Sequence, residues 1–337
     1  MSLLRNEAKL RVFDGALQDM MIAVARRRRL SELLDKTRAL RLGGRYHRGA
    51  ESARALARMA GRGKMPDLEL EAYWELLEDL KALHPERRGL LCSVERRASR
   101  LARCSGDERL RLEAQIRQAA LWRTLGEHER AAAALTGVIG HRALTKDRQL
   151  SGYACWNLAF ALRMLLKLDR AAFFFHRAAR IFESTGDASG LAYAMSGLAG
   201  VTRLMNRPQA SLGYYRRALA LFQREKDDPY GLAYANCGSG NALRRLGRFR
   251  RAVAHYNRAH RIYRRLRDAV NEGYVCWGRY VCLRALGRRS EAGRDLKRAL
   301  GLFKKTKDRR GLALCQVWAG LPLGVTDIAA LREAHRS

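Results

Sequence analysis

Five arginines, Arg123, Arg163, Arg203, Arg244 and Arg284, recur at steps of 40, 40, 41 and 40 residues. A guanidinium group is planar, permanently charged and able to hold a carboxylate through two parallel hydrogen bonds. A column of them along one face is suited to an extended anion. Trp156 and Trp277 lie seven residues before Arg163 and Arg284. They could add apolar contacts, and Asn157 and Asn241 could add amide contacts, to such a segment. A second column, Arg177, Arg217, Arg258 and Arg298, runs through later positions of the same periods. Periodic arginine therefore has two readings, a ladder that takes a ligand and a solvated face that balances packing.

No other residue pattern assembles a reaction. The chain has no HExxH, no GxxxxGK[ST], no GxSxG and no paired-cysteine metal spacing. His255 and His260 are five apart, outside the spacings that share a helix face, and read as packing or surface residues. Gly238-Ser-Gly240-Asn241 looks like a phosphate loop but falls inside a helical pattern. The expectation is a non-enzymatic protein with no cofactor and no metal.

The charge narrows the partner. In 337 residues there are 66 Lys and Arg against 33 Asp and Glu, a net +33 that favours an anionic partner. Between Val201 and Arg310 the count is 28 basic to 8 acidic. Runs such as RRLGRFRR and RIYRRLR interleave Arg with aromatics there. Arg258, Arg261, Arg264 and Arg265 are the candidate surface if that anion is RNA or DNA, bound through its backbone. The seven cysteines form no regular framework, which suits reduced thiols in a cytoplasmic protein. The first residues lack the apolar core of a secretory signal, and the longest uncharged run, Gly311 to Thr326, is interrupted by Pro322. No membrane insertion is expected.

Equivalent side chains must be positioned by a repeated element, and the repeat is legible. Asp147, Asp187, Asp228, Asp268 and Asp308 each precede by six residues a member of the column Tyr153, Tyr193, Tyr234, Tyr274 and Leu314. Aspartate at a constant offset before an apolar-periodic run predicts a helix N-cap. A second helix in each period carries a small–large face: Ala171, Phe175, Ala178, Phe182; Ser211, Tyr215, Ala218, Phe222; Ala252, Tyr256, Ala259, Tyr263; Ala292, Leu296, Ala299, Phe303. One hairpin cannot bury such a face alone, so tandem hairpins must stack. The predicted class is all-α, an α-solenoid.

The turn sequences LGEHERA (125–131), LGRFRRA (246–252) and LGRRSEA (286–292) resemble the tetratricopeptide repeat. The period near forty, with GD or KD before most first helices, is similar to the long-period subgroup of Pins/LGN-type adaptors and kinesin light chains. The resemblance covers roughly residues 107 to 320. It implies a right-handed superhelix whose first helices line a concave groove, placing the five arginines in that groove. In that subgroup, comparable Asn and Arg side chains hold acidic linear segments. The implied function is a cytoplasmic protein–protein interaction scaffold or adaptor taking an acidic segment of a partner.

Three segments follow. Residues 1–106 read as divergent helical hairpins continuing the stack, with LGG as a turn near residue 42, Asp67 as a cap after Pro66, and residues 61–66 as the one candidate linker. Residues 107–320 hold units at 107–146, 147–186, 187–227, 228–267 and 268–307 and a terminal half unit. Residues 321–337 read as a capping helix. The turn MNRPQAS around Pro208 departs from the pattern and predicts a kinked or late second helix.

Overall fold

The protein was analysed as a computed structural model that describes residues 2–84, 86–224 and 228–320. All regular elements among these residues are helical. The chain divides into two compact units, residues 1–111 and 112–337.

In the first unit, α1 (Ser2–Leu42), α2 (Tyr46–Arg62), α3 (Pro66–Leu83) and α4 (Arg88–Cys104) pack in sequence. Leu30, Leu34, Leu56, Ala60, Leu68 and Ala72 form its shared core. Residues 61–66 are not a linker. They include the tight turn between α2 and α3, where Lys64 takes φ 52°. Asp67 is not the cap either: the cap position is Met65, Pro66 opens the helix, and Asp67 lies in the first turn, paired with Arg27. Proline at that position removes one of the first-turn N–H groups that would otherwise lack a partner.

The second unit is the repeat. It comprises most of α5 (Glu108–Thr124), then α6 (His128–Ile139), α7 (Arg142–Lys146), α8 (Arg148–Met164), α9 (Leu168–Ser184), α10 (Ala188–Leu204), α11 (Pro208–Arg224), α12 (Pro229–Arg245), α13 (Phe249–Leu266), α14 (Ala269–Ala285), α15 (Arg289–Thr306) and α16 (Arg309–Ala319). Even-numbered α8 to α14 are the first helices of hairpins and α9 to α15 the second. Each helix packs on its hairpin partner and on the next hairpin. The short α7 is an addition that the periodicity does not announce: α6 stops early at Gly140, and His141 caps one extra turn.

The aspartates do what their offset requires. Asp147, Asp187, Asp228, Asp268 and Asp308 accept hydrogen bonds from the backbone N–H of Leu150, Gly190, Gly231, Asn271 and Gly311. Asp107 caps α5 in the same way, a sixth instance. Each accepts from first-turn amides that have no partner within the helix.

Pro208 introduces no kink. It is the first residue of α11, which keeps the 17-residue length of its neighbours. The preceding turn needs one left-handed residue, supplied by Gly126, Leu166, Asn206, Gly247 and Gly287 in successive hairpins. Asn206 tolerates that conformation better than most residues, so the departure from Gly is a substitution within the same turn.

The small–large face of each second helix is the core. All its members are buried except Leu296, which is half-buried. The aromatics enter spaces that glycines of the first helices leave open: Phe175 at Gly197, Tyr215 at Gly238, and Tyr256 at both Gly240 and Gly278. The tyrosine column packs into the same layers, with Tyr193 edge-on to Phe222 at 5.1 Å and Tyr274 edge-on to Phe303 at 4.9 Å. The predicted capping helix, 321–337, lies outside the described residues.

Candidate functional site

The five arginines occupy the last turn of successive first helices: Arg123 on α5, Arg163 on α8, Arg203 on α10, Arg244 on α12 and Arg284 on α14. Four are half-buried and Arg284 is exposed. A cation at a helix C-terminus is stabilised by the helix dipole, and each position obeys that local rule.

Aromatic rings hold the guanidinium groups of Arg123, Arg163, Arg244 and Arg284. Phe160 carries Arg123 at 4.2 Å and Arg163 at 4.3 Å from its centroid, and Trp156 adds a second ring 5.1 Å from Arg123. Arg244 lies 5.0 Å from Trp277. Arg284 lies 5.8 Å from the Tyr280 ring and donates to its hydroxyl at 3.1 Å. Among the described residues, Arg163, Arg203 and Arg244 form no ion pair with a carboxylate. Cation–π support orders a guanidinium while leaving its N–H groups to point elsewhere. The field of these groups reaches their neighbours: His128 has its pKa lowered, by burial first and then by Arg123 and Arg163.

A cleft of about 680 Å³ brings Arg244 and Arg284 together with Phe249, Val281, Ala285 and Val317. Two cations beside four apolar side chains can take a carboxylate-bearing segment with an apolar neighbour. Sequence reasoning missed those four residues. Val281 and Ala285 are four apart on α14 and flank Arg284, a spacing that could have pointed to a shared face.

The two asparagines are built into the packing. Asn157 is fully buried, with Nδ2 donating to Tyr153 O at 2.9 Å, so it is not presented to a ligand. Asn241 accepts from the Tyr256 hydroxyl at 2.9 Å. Trp156 and Trp277 are half-buried and face the arginines as described. Arg245 reaches back to the preceding hairpin, its guanidinium 3.3 Å from Asn206 Oδ1. Arg248, Arg250 and Arg251 are exposed.

Nothing near the ladder resembles an activated nucleophile. Cys237, the thiol closest in field to Arg203 and Arg244, is pushed up to about 11 by burial, against the pull of both arginines. Gly238 to Asn241 lie within α12. His260, Glu272 and Cys276 place potential metal-ligand atoms within 4.8 Å of one another. That set does not favour a cation. Arg298 Nε donates to Glu272 Oε1 at 2.7 Å, Arg279 pairs with Asp295 at 3.0 Å, and burial first, then Asp295, pushes the Cys276 thiol up to about 12. No helix among the described residues is long and apolar enough to cross a membrane.

The alternative set, Arg258, Arg261, Arg264 and Arg265, lies exposed along α13. Arg258, Arg261 and Arg265 line a second cleft, of about 600 Å³, and Arg264 does not.

Comparison with known proteins places the repeat. Residues 191–265 match the family model described as Tetratricopeptide repeat. No curated protein matches this sequence. Among solved structures, a Rap protein complexed with Competence and Sporulation Factor is similar over 91% of this chain and 85% of its own, at 13% identity and a TM-score of 0.67. The apo form of RapI is similar over 90% and 85%, at 10% identity and a TM-score of 0.56. A chain of the APC/C hetero-tetramer Cut9–Hcn1 is similar over 89% of this chain but 51% of its own, at 17% identity and a TM-score of 0.61. At these identities the likeness is one of fold.

Proposed function

We propose that this chain, a tetratricopeptide-repeat protein by its sequence match and its fold, is a non-enzymatic protein–protein interaction scaffold that binds an acidic segment of its partner along the arginine ladder. The observation that carries the reading is the cleft holding Arg244 and Arg284 beside Phe249, Val281, Ala285 and Val317. Arg163 and Arg203 extend the same line of cations over two further hairpins, with no carboxylate of the described chain neutralising them. A partner carboxylate would meet pre-oriented donors, which lowers the entropy lost on binding. Two of the similar structures are themselves assemblies, Rap with its factor and Cut9 with Hcn1, which agrees with a binding role for this architecture. The cytoplasm is the compartment this reading assigns.

The test is direct. Fluorescence anisotropy against an array of Asp- and Glu-containing peptides should find binders for the full chain. Arg203→Ala/Arg244→Ala/Arg284→Ala should lose them while its circular dichroism is unchanged. Unaltered binding by the triple variant would reject the ladder.

A further inference from the structure

We propose a second ligand site, on the opposite helices of the hairpins: the cleft between α11, α12 and α13 is a pocket for a small organic polyphosphate. Arg216, Arg258, Arg261 and Arg265 line it, with His255 and Asn236 among its remaining polar residues. Its volume of about 600 Å³ is sufficient for a small-molecule ligand. No carboxylate among the described residues lines it, and none of its four arginines forms an ion pair with one. Leu219, Leu232 and Ile262 supply an apolar wall, which inorganic phosphate does not need and an organic body does.

The repeat provides an internal comparison, because at the same place in the neighbouring hairpins the chain's own side chains pair with one another. One hairpin earlier, the equivalents of Arg216 and His255 are His176 and Tyr214, whose rings meet at 6.2 Å. One hairpin later, the equivalents of Leu232, His255 and Arg258 are Glu272, Asp295 and Arg298. There the chain supplies its own anions: Glu272 pairs with Arg298 and His260, and Asp295 with Arg279. In the cleft between α11 and α13 those carboxylates are replaced by Leu232 and His255. Arg258 keeps the place of Arg298, and Ser239 and Leu219 stand where Arg279 and His260 do. Arg216 and Arg261 are cations found only in this cleft, their later equivalents being Asn257 and Gly301. Holding several guanidinium groups together with no anion costs free energy that a bound polyphosphate offsets.

His255 and Asn236 form the polar floor, with His255 Nδ1 3.0 Å from Asn236 Oδ1. Burial first, then Arg258 and Arg216, hold the imidazole pKa below its usual value. The floor is therefore a neutral hydrogen-bonding pair, and the cations stand around it. That arrangement suits charged groups at the arginines and a neutral, flat body against the leucines.

Isothermal titration calorimetry of the full chain with ATP tests the site, with inorganic pyrophosphate and a single-stranded RNA oligonucleotide as comparisons. The expected result is one saturable ATP site per chain, tighter than pyrophosphate. Arg258→Ala/Arg261→Ala, both exposed side chains, should weaken it about tenfold or more without loss of helicity, and Arg244→Ala/Arg284→Ala should leave it unchanged. No saturable ATP binding at low salt would overturn the proposal. So would equal affinity for ATP and pyrophosphate, equal loss in the two double variants, or RNA displacing ATP with a stoichiometry that grows with oligonucleotide length.

Discussion

Tyr256 donates its hydroxyl hydrogen to Asn241 Oδ1 across 2.9 Å, joining the second helix of one hairpin to its own first helix. The ring reaches that position because Gly240 and Gly278, from two successive first helices, leave it room. A Cβ built on Gly240 would lie 2.7 Å from the ring and one on Gly278 2.6 Å. Gly240→Leu should therefore force α12 and α13 apart, at about 1–3 kcal/mol, read as a lower midpoint in thermal circular dichroism. Asn241→Ala should cost about 1–3 kcal/mol by a different route, leaving a buried hydroxyl without its acceptor.

The aspartate caps are structural, so their removal should lower stability and spare binding. Asp187→Ala deprives Gly190 N–H of its acceptor. The expected loss is about 0.5–2 kcal/mol in urea unfolding, with peptide affinity unchanged. A loss of affinity without loss of stability would give this aspartate a different role.

Phe160 is shared by Arg123 and Arg163 at nearly equal distances. Phe160→Ala should release Arg163, leave Arg123 on Trp156 alone and weaken acidic-peptide binding, each contact being worth about 0.5–1 kcal/mol. Phe160→Tyr retains the ring and should retain the affinity. Anisotropy titrations on the two variants separate ring support from bulk charge, since neither changes the net charge.

Unit 1 should be less stable at neutral pH than at mildly acid pH. Asp79 is buried with neither carboxylate oxygen hydrogen-bonded, in space left by Gly49. Its pKa is pushed up from 3.8 to about 7, by burial first, with Glu75 and Glu78 adding to the rise and Arg41 opposing it. Across that window the folded state keeps a proton that the unfolded chain has released, so stability falls as pH rises from about 4 to about 7 and then levels off. Hydrogen-exchange protection of α2 and α3, corrected for intrinsic rates, should decline over the same interval. Asp79→Asn should flatten the profile; a slope that persists in that variant would assign it elsewhere.

The repeat was legible because its physics is local. An aspartate cap, a left-handed turn residue and a small–large face each act within one or two turns of helix, so their spacing is written directly in the chain. Local chemistry was misread at two places: Asp67 pairs with Arg27 instead of capping α3, and Pro208 opens α11 instead of kinking it, because proline at the first helical position has no N–H to lose.

The sequence by itself determined which positions recur, and hence that five arginines stand at equivalent helix ends. Only the tertiary structure decided what surrounds them. Asn157 and Trp156 are adjacent in sequence, yet one is sealed in the core and the other faces Arg123. Val317 shares a cleft with Arg244 only because α16 and α12 both border it. Contacts between hairpins join residues well separated along the chain, such as Phe175 with Gly197 and Arg123 with Phe160, and their burial depends on volumes contributed by several helices at once. No window along a single chain contains that sum.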